Sequence, residues 1–312
     1  MISFLKLIRW PNLLIVLISM LLILLFVINP VLGSGWFAVG LSKLEFSLLI
    51  LATLFITIGG YLINDFFDMD ADRFNKPGKN QVGLKWPVST VQLLYWVFTI
   101  GGVGLGVLVS WMVNQINYSL IFVFSAGMLW FYSERYQCIP VVGNIVVAFL
   151  STLSFGLVWL YQFFALSSDA IGFTYVQAGF PLANRLVLIY MTFAFVTSFL
   201  REVLKDIEDK EGDEKFGCNT MAVVYGIEKS KVLAIILTGL GLAATIWIQM
   251  FFKQAEFWML FGYFFLIDLL FIICLIQTIR AKKKADFRKL SNYVKWLMVI
   301  GILSMILIYF EV

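Results

Sequence analysis

Histidine is absent from this 312-residue chain. That absence removes imidazole acid-base chemistry, haem or zinc ligation by imidazole, and any Ser-His-Asp arrangement. Charge is scarce as well, at 13% Asp, Glu, Lys and Arg, about half the usual share of a soluble domain. A water-soluble fold of this length could not hide 61% hydrophobic residues in one core, so lipid must be part of the solvent. The three cysteines, Cys138, Cys218 and Cys274, lie far apart with no CxxC pair. Neither a disulfide framework, a zinc site nor redox chemistry is therefore expected. The formal charge of +4 is too weak and too scattered to argue for nucleic acid. Whatever chemistry occurs must run on carboxylates, amides, hydroxyls and cations.

Apolar length is what the chain has in abundance. A hydrocarbon core of about 30 Å needs roughly 20 apolar residues per helix. Runs of that kind fall near 12–32, 45–64, 91–113, 118–133, 142–165, 185–203, 231–252, 256–279 and 293–311. The first run exceeds a signal-peptide core and precedes no small-residue cleavage site, so it is expected to stay as a span. Such runs are too long and continuous for barrel strands, and backbone groups in lipid must be satisfied within their own segment. The expected fold is an all-α polytopic membrane protein, a nine-helix bundle with a central cavity, forming one domain over 1–312.

Basic residues orient it. With the N-terminus in the cytoplasm, 20 of the 23 Lys and Arg fall on the inside, leaving Lys43, Arg185 and Lys253 outside. Nine spans then place the C-terminus on the opposite side. The group Lys282, Lys283, Lys284, Arg288 and Lys289 reads as a solvated loop meeting anionic headgroups.

Acid is concentrated twice, both times on the cytoplasmic side: YLINDFFDMDADRFNKPGKN after the second span and FLREVLKDIEDKEGDEKFG after the sixth. At 100° per residue, Asn64, Asp68 and Asp72 share an arc of about 80°, and Glu202, Asp206, Asp209 and Asp213 one of about 60°. An acidic run after a span is ordinarily a wetted helix end. Two matched ladders at one depth are harder to dismiss, because they repel unless cations sit between them. Oxygen ligands without Cys or His suit a hard ion, and short ladders with room for water suit Mg²⁺. Arg73 and Lys76 beside the first ladder, and Arg201, Lys205, Lys210 and Lys215 beside the second, would complete a pocket for a polyanion such as diphosphate.

These residues resemble the UbiA superfamily of intramembrane prenyltransferases. Its NDxxDxxxD motif stands here as Asn64 to Asp72, followed by Arg73 and Asn75-Lys76-Pro77. The second motif stands as Asp206 to Asp213, after Arg201-Glu202 and before Gly217 and Thr220. The resemblance implies an enzyme that moves an isoprenyl group from an allylic diphosphate donor to a lipophilic or amphiphilic acceptor, in a bilayer cavity that opens to the cytoplasmic side. It implies two Mg²⁺ ions on Asn64, Asp68, Asp72, Asp206, Asp209 and Asp213, with Asp68, Asp72, Asp209 and Asp213 central to catalysis and Asp65 in support. Substrate contacts carry over to Arg73, Lys76, Lys205, Tyr132, Ser133, Arg9 and Asn12. Two departures stand out. Gln137 replaces a lysine common after the Tyr-Ser pair, and Gly78-Lys79-Asn80-Gln81 lacks the usual second proline and arginine. The acceptor stays open between a prenylglyceryl phosphate, for which Arg9, Lys79 and Lys85 offer cations, and an aromatic quinone or chlorophyll precursor.

Ionising an allylic C–O bond leaves a carbocation, which aromatic faces can steady. Phe66, Phe67, Trp130, Phe131 and Tyr132 lie near the right depth, although an interfacial aromatic belt is the ordinary role for such residues. Two other classes use membrane acids. A CDP-alcohol phosphotransferase needs a DGxxAR run, and this chain has no Asp-Gly dipeptide. A transporter or channel would carry acids through the bilayer; Asp268 is the one acid at mid-span, while the ladders sit at one interface.

Overall fold

The computed structural model describes residues 2–33, 39–75 and 80–312. Among the described residues, nine helices are long and apolar enough to cross a membrane: α1 (Trp10–Val31), α2 (Lys43–Phe67), α3 (Val88–Met112), α4 (Ile116–Glu134), α5 (Val142–Ser167), α6 (Phe180–Lys215), α7 (Gly226–Gln254), α8 (Trp258–Arg280) and α9 (Lys284–Ile308). The fold is thus an all-α, nine-helix membrane bundle. Its large exposed side chains, among them Trp111, Leu120, Trp247 and Trp296, belong to a lipid-facing surface rather than a wet one. The core runs between α1, α2, α5 and α6, where Leu49, Phe155, Tyr161, Leu186 and Tyr190 are buried together.

Local chemistry sets the helix ends. Ser42 and Glu45 form a capping box at the start of α2. Pro30 cannot donate to the carbonyl one turn back, and α1 widens into a π-helical stretch over Ile23–Ile28 just before it. Arg9 holds the left-handed conformation at φ 52°, separating a short leading helix, Ile2–Leu7, from α1. At the far end of α6, Gly217 is left-handed at φ +75°. Cys218 N–H then reaches back to Asp213 O at 2.8 Å, and Gly217 N–H to Glu214 O at 3.4 Å. This Schellman closure stops α6 directly after its acidic ladder.

Three expectations need correction. Cys138 and Cys218, 80 residues apart, are joined by a disulfide, leaving only buried Cys274 free. The bond forms because the turn after α4 and the Schellman turn after α6 arrive at the same end of the bundle, which linear spacing does not reveal. The ninth helix begins at Lys284 rather than near 293, so Lys284, Arg288 and Lys289, expected in a solvated loop, are helical. Asp286 starts it early, its carboxylate accepting the N–H groups of Lys282 and Lys283 at 3.0 and 2.9 Å. The sixth helix likewise runs on past 203 to Lys215, carrying the whole second ladder.

Candidate active site

The first ladder straddles a helix break. α2 ends at Phe67 and a short helix, Met69–Asn75, follows. The i to i−4 hydrogen bonds nonetheless continue across the join, from Asp68 N–H to Asn64 O at 2.9 Å and from Asp72 N–H to Asp68 O at 2.8 Å. The acids therefore keep their vertical order. The second ladder stands on unbroken helix, so Glu202, Asp206, Asp209 and Asp213 share one face of α6.

One asparagine ties the two motifs together. Asn75 Nδ2 donates to Asp209 O at 3.1 Å, and its Oδ1 accepts from Gly212 N–H at 3.1 Å. A Cβ on Gly212 would lie 2.2 Å from the Asn75 amide, so only glycine permits this approach. Asn80 closes the first motif from below, donating to Asp65 O at 2.7 Å and to Asp72 Oδ2 at 3.2 Å.

Asp65, Asp68, Asp206 and Asp213 each have a side-chain neighbour from another part of the chain. Arg9 forms an ion pair with Asp65 and donates to Asn64 Oδ1 at 3.3 Å. Gln137 Nε2 donates to Asp68 Oδ1 at 2.7 Å, and its Oε1 accepts from Asn64 Nδ2 at 3.0 Å. Asn144 holds Asp206 at 2.8 Å, and the Thr220 hydroxyl reaches Asp213 at 3.3 Å. Burial, with the charge of Asp72 beside it, pushes the Asp68 carboxyl up to about 7 despite the Gln137 hydrogen bond. Such a carboxylate is short of positive charge. Among the described residues no three carboxylates converge tightly enough to form a ready-made metal cage. The donor set is still that of a hard cation: carboxylate and amide oxygens in pairs on two helix ends, of the kind that suits an ion keeping water and phosphate oxygens as further ligands.

The other expected contacts divide. Lys205 pairs with Glu202 at 2.7 Å, and Arg201 pairs with the same carboxylate at 3.1 Å. Asn12 accepts from Lys295 Nζ at 2.6 Å. Tyr132 stands in the last turn of α4, next to Ser133. Ser133 is fully buried and its hydroxyl donates back to Leu129 O at 2.9 Å. Arg73 points away, 3.6 Å from Asp70 and 3.5 Å from Val82 O. Lys76 lies outside the described residues, as does Lys79. The aromatic residues form a belt: Phe67 packs edge-on to Phe66 and Trp130, and Trp130 on Tyr95 and Trp96. Asp268 is answered by Thr245, whose hydroxyl donates to it at 2.6 Å.

Sequence reasoning missed Asn75, Asn80, Asn144 and Lys295 as site residues. Asn75 had a visible signal, since it stands in the Asn-Lys-Pro that follows the first motif, but amides away from the ladders gave none.

Comparison with known proteins gives a consistent result. The chain is 31% identical over 202 residues to a digeranylgeranylglyceryl phosphate synthase of Thermococcus sibiricus, covering 64% of this chain and 63% of that one. It is 28% identical over 265 residues to the synthase of that name from Methanobrevibacter smithii, covering 82% and 84%. In Thermococcus kodakarensis the figures are 30% over 216 residues, 69% of each chain. Among solved structures, one described as digeranylgeranylglyceryl phosphate synthase in membranes matches 99% of this chain and 98% of its own with a TM-score of 0.66 at 24% identity. A UbiA homologue from Archaeoglobus fulgidus, bound to DMAPP and Mg²⁺, matches 97% and 98% with a TM-score of 0.56 at 14% identity. The model of the UbiA prenyltransferase family matches residues 27–299, and the chain belongs to that family.

Proposed function

We propose that this prenyltransferase transfers an isoprenyl group from an allylic polyprenyl diphosphate to a prenylglyceryl phosphate, forming an ether lipid. The observation that carries the reading is the Asn75 clamp, which fastens the end of the first acidic motif to Asp209 and Gly212 of the second. The names of the relatives supply the acceptor class. The bond that breaks joins the allylic C1 to the diphosphate oxygen; the bond that forms joins C1 to the glyceryl hydroxyl oxygen. The proton leaves that hydroxyl, and diphosphate departs with the electron pair.

Two Mg²⁺ ions, as Lewis acids on the diphosphate, would make it a competent leaving group. Asn64, Asp68, Asp72, Asp206, Asp209 and Asp213 would hold them; the A. fulgidus homologue bound to DMAPP and Mg²⁺ supports the choice of metal. Gln137 and Asn144 keep Asp68 and Asp206 in place before any substrate arrives. Lys205 and Tyr132 complete the diphosphate pocket, and the bundle shields the allylic cation from water. The site lies on the face that gathers the basic residues, so we assign it to the cytoplasmic side, with the N-terminus inside and the C-terminus opposite. The whole chain then acts as one catalytic domain.

The test is incubation of the purified protein with geranylgeranyl diphosphate, Mg²⁺ and a panel of glycerol-phosphate and phenolic acceptors, with products read by mass. Alkylation of the glycerol-phosphate acceptor supports the reading; alkylation of phenols alone overturns the acceptor assignment.

A further inference from the structure

Three ties close a ring around the acidic motifs. Gln137, in the turn between α4 and α5, holds the first motif: its Nε2 donates to Asp68 Oδ1 at 2.7 Å and to Ser133 O at 2.9 Å, and its Oε1 accepts from Asn64 Nδ2 at 3.0 Å. Asn75 fastens the end of that motif to Asp209 and Gly212 of the second. The third tie is covalent. Cys138, the residue after Gln137, is bonded to Cys218, in the turn that follows Asp213. Cys218 N–H donates to Asp213 O at 2.8 Å, Cys218 O accepts from Thr220 N–H at 3.0 Å, and the Thr220 hydroxyl donates to Asp213 Oδ2 at 3.3 Å. One disulfide thus joins the segment that positions Asp68 to the segment that positions Asp213.

Of these ties, the disulfide is the one that redox chemistry opens in the folded protein. Both of its cysteines are partly exposed, whereas Cys274 is fully buried, so an outside thiolate can reach the bond. The bond lies with the site on the face that gathers the basic residues, and a disulfide facing the cytosol is ordinarily transient or redox-sensing rather than a passive staple. The turn it holds is strained as well. Val141 is left-handed at φ 68°, a conformation that is costly for a β-branched residue and persists only where the surroundings impose it. The start of α5 presses on the same turn, where a Cβ on Gly143 would lie 2.6 Å from Tyr136 O and 2.8 Å from Gln137 Cα. Cutting the cross-link leaves this turn free to relax, and Gln137 moves with it.

We infer that the Cys138–Cys218 bond is a redox switch on the diphosphate site: when oxidised it holds Gln137 and Thr220 against the two acidic motifs, and when reduced it lets them part and weakens the metal-dependent grip on the donor. This rests on the donor and metal sites proposed above. The reductant is of the cytosolic dithiol class. Its thiolate attacks one sulfur of the pair, the S–S bond breaks and a mixed disulfide forms, and its second thiolate then displaces the protein sulfur. Two electrons and two protons pass to Cys138 and Cys218, which become thiols, while the reductant leaves as its own disulfide. Gln137 and Thr220 are positioning residues here, each acting through the carboxylate it holds.

The test uses the full-length protein in lipid nanodiscs, poised at graded ratios of reduced to oxidised dithiothreitol. Titration with geranyl diphosphate in the presence of Mg²⁺ gives donor affinity at each ratio, alkylation read by mass gives the number of free thiols, and circular dichroism gives helix content. Donor affinity is expected to fall by about tenfold or more on reduction, the scale of one charge-assisted hydrogen bond, and to return on reoxidation. Its midpoint should coincide with the appearance of the Cys138 and Cys218 thiols. Cys138→Ser and Cys218→Ser should stay at the low affinity whatever the ratio, while Cys274→Ser responds as wild type does. Equal affinity in the oxidised and reduced protein, or a response that survives in Cys138→Ser, overturns the inference. So does a loss of helix content in step with affinity, because the bond would then hold the whole bundle rather than the site. If oxidised wild type binds no donor with Mg²⁺, the functional reading falls and this inference with it; if it binds equally well in both states, the switch alone is wrong.

Discussion

Asp68 carries the most informative single titration in the site. Burial and the neighbouring Asp72 charge lift its carboxyl to about 7, against about 4 in an unfolded chain. Between those values the folded protein holds a proton that the unfolded chain has released. The stability of the metal-free protein therefore falls as pH rises through that window, and the contribution is fully present only below about pH 4. Asp68→Asn should flatten this part of the profile, which thermal unfolding of metal-free protein at about pH 5 and about pH 7.5 will register; an unchanged slope refutes it. A divalent ion held there as proposed displaces the same proton, so Mg²⁺ affinity should climb as pH rises through 7. The sequence placed Asp68 in a ladder, but it gave no sign that Gln137, from another helix, would brace both Asn64 and Asp68. In the sequence Gln137 was simply a missing lysine.

Between elements, the decisive contact is the approach of the Met69–Asn75 helix to α6. Gly212→Ala places a methyl group against the Asn75 amide, and overpacking of this kind costs about 1–3 kcal/mol. Turnover in the variant should drop by an order of magnitude or more, and Asn75→Ala should reproduce the loss without a clash, through the two missing hydrogen bonds. Wild-type rates in both would show that the motifs need no clamp. The disulfide works at the same scale. Denatured, non-reduced protein should offer one alkylatable thiol, Cys274, and reduced protein three. Cys218→Ser should lower stability by about 2–4 kcal/mol, since the bond closes a long loop. Legibility here divided by distance along the chain. The ladders and the spans were readable because their signals are local, a repeat of about four residues or a run of apolar ones. Asn75 stands in a visible Asn-Lys-Pro, but its reach to Gly212 and the Cys138–Cys218 bond depend on which helix ends share a corner, and nothing local encodes that. The early start of α9 was hidden by its charge: Lys284 to Lys289 looks like a loop until Asp286 is seen capping it.

Across the whole molecule, the bundle collects its chemistry at one end. The α1 start, the turns after α2, α4 and α6, and the α8–α9 turn all meet there, the last through Arg288 on Glu208 at 2.8 Å and Lys231 on Ala281 O at 2.8 Å. That arrangement gathers most of the basic residues at one end, and it leaves the opposite end for Lys43, Arg185 and Lys253. It also brings the two acidic motifs together, the end of the first against Asp209 and Gly212 of the second. Calorimetric titration of geranyl diphosphate into the nanodisc-embedded protein measures this directly, with and without Mg²⁺. One donor should bind per chain, only with the metal present, and Asp68→Ala, Asp209→Ala and the double variant should each abolish it to the same extent, because residues acting as one unit are not additive. Metal-independent binding in wild type, or partial losses that add in the double variant, would contradict a single site built from both helix ends.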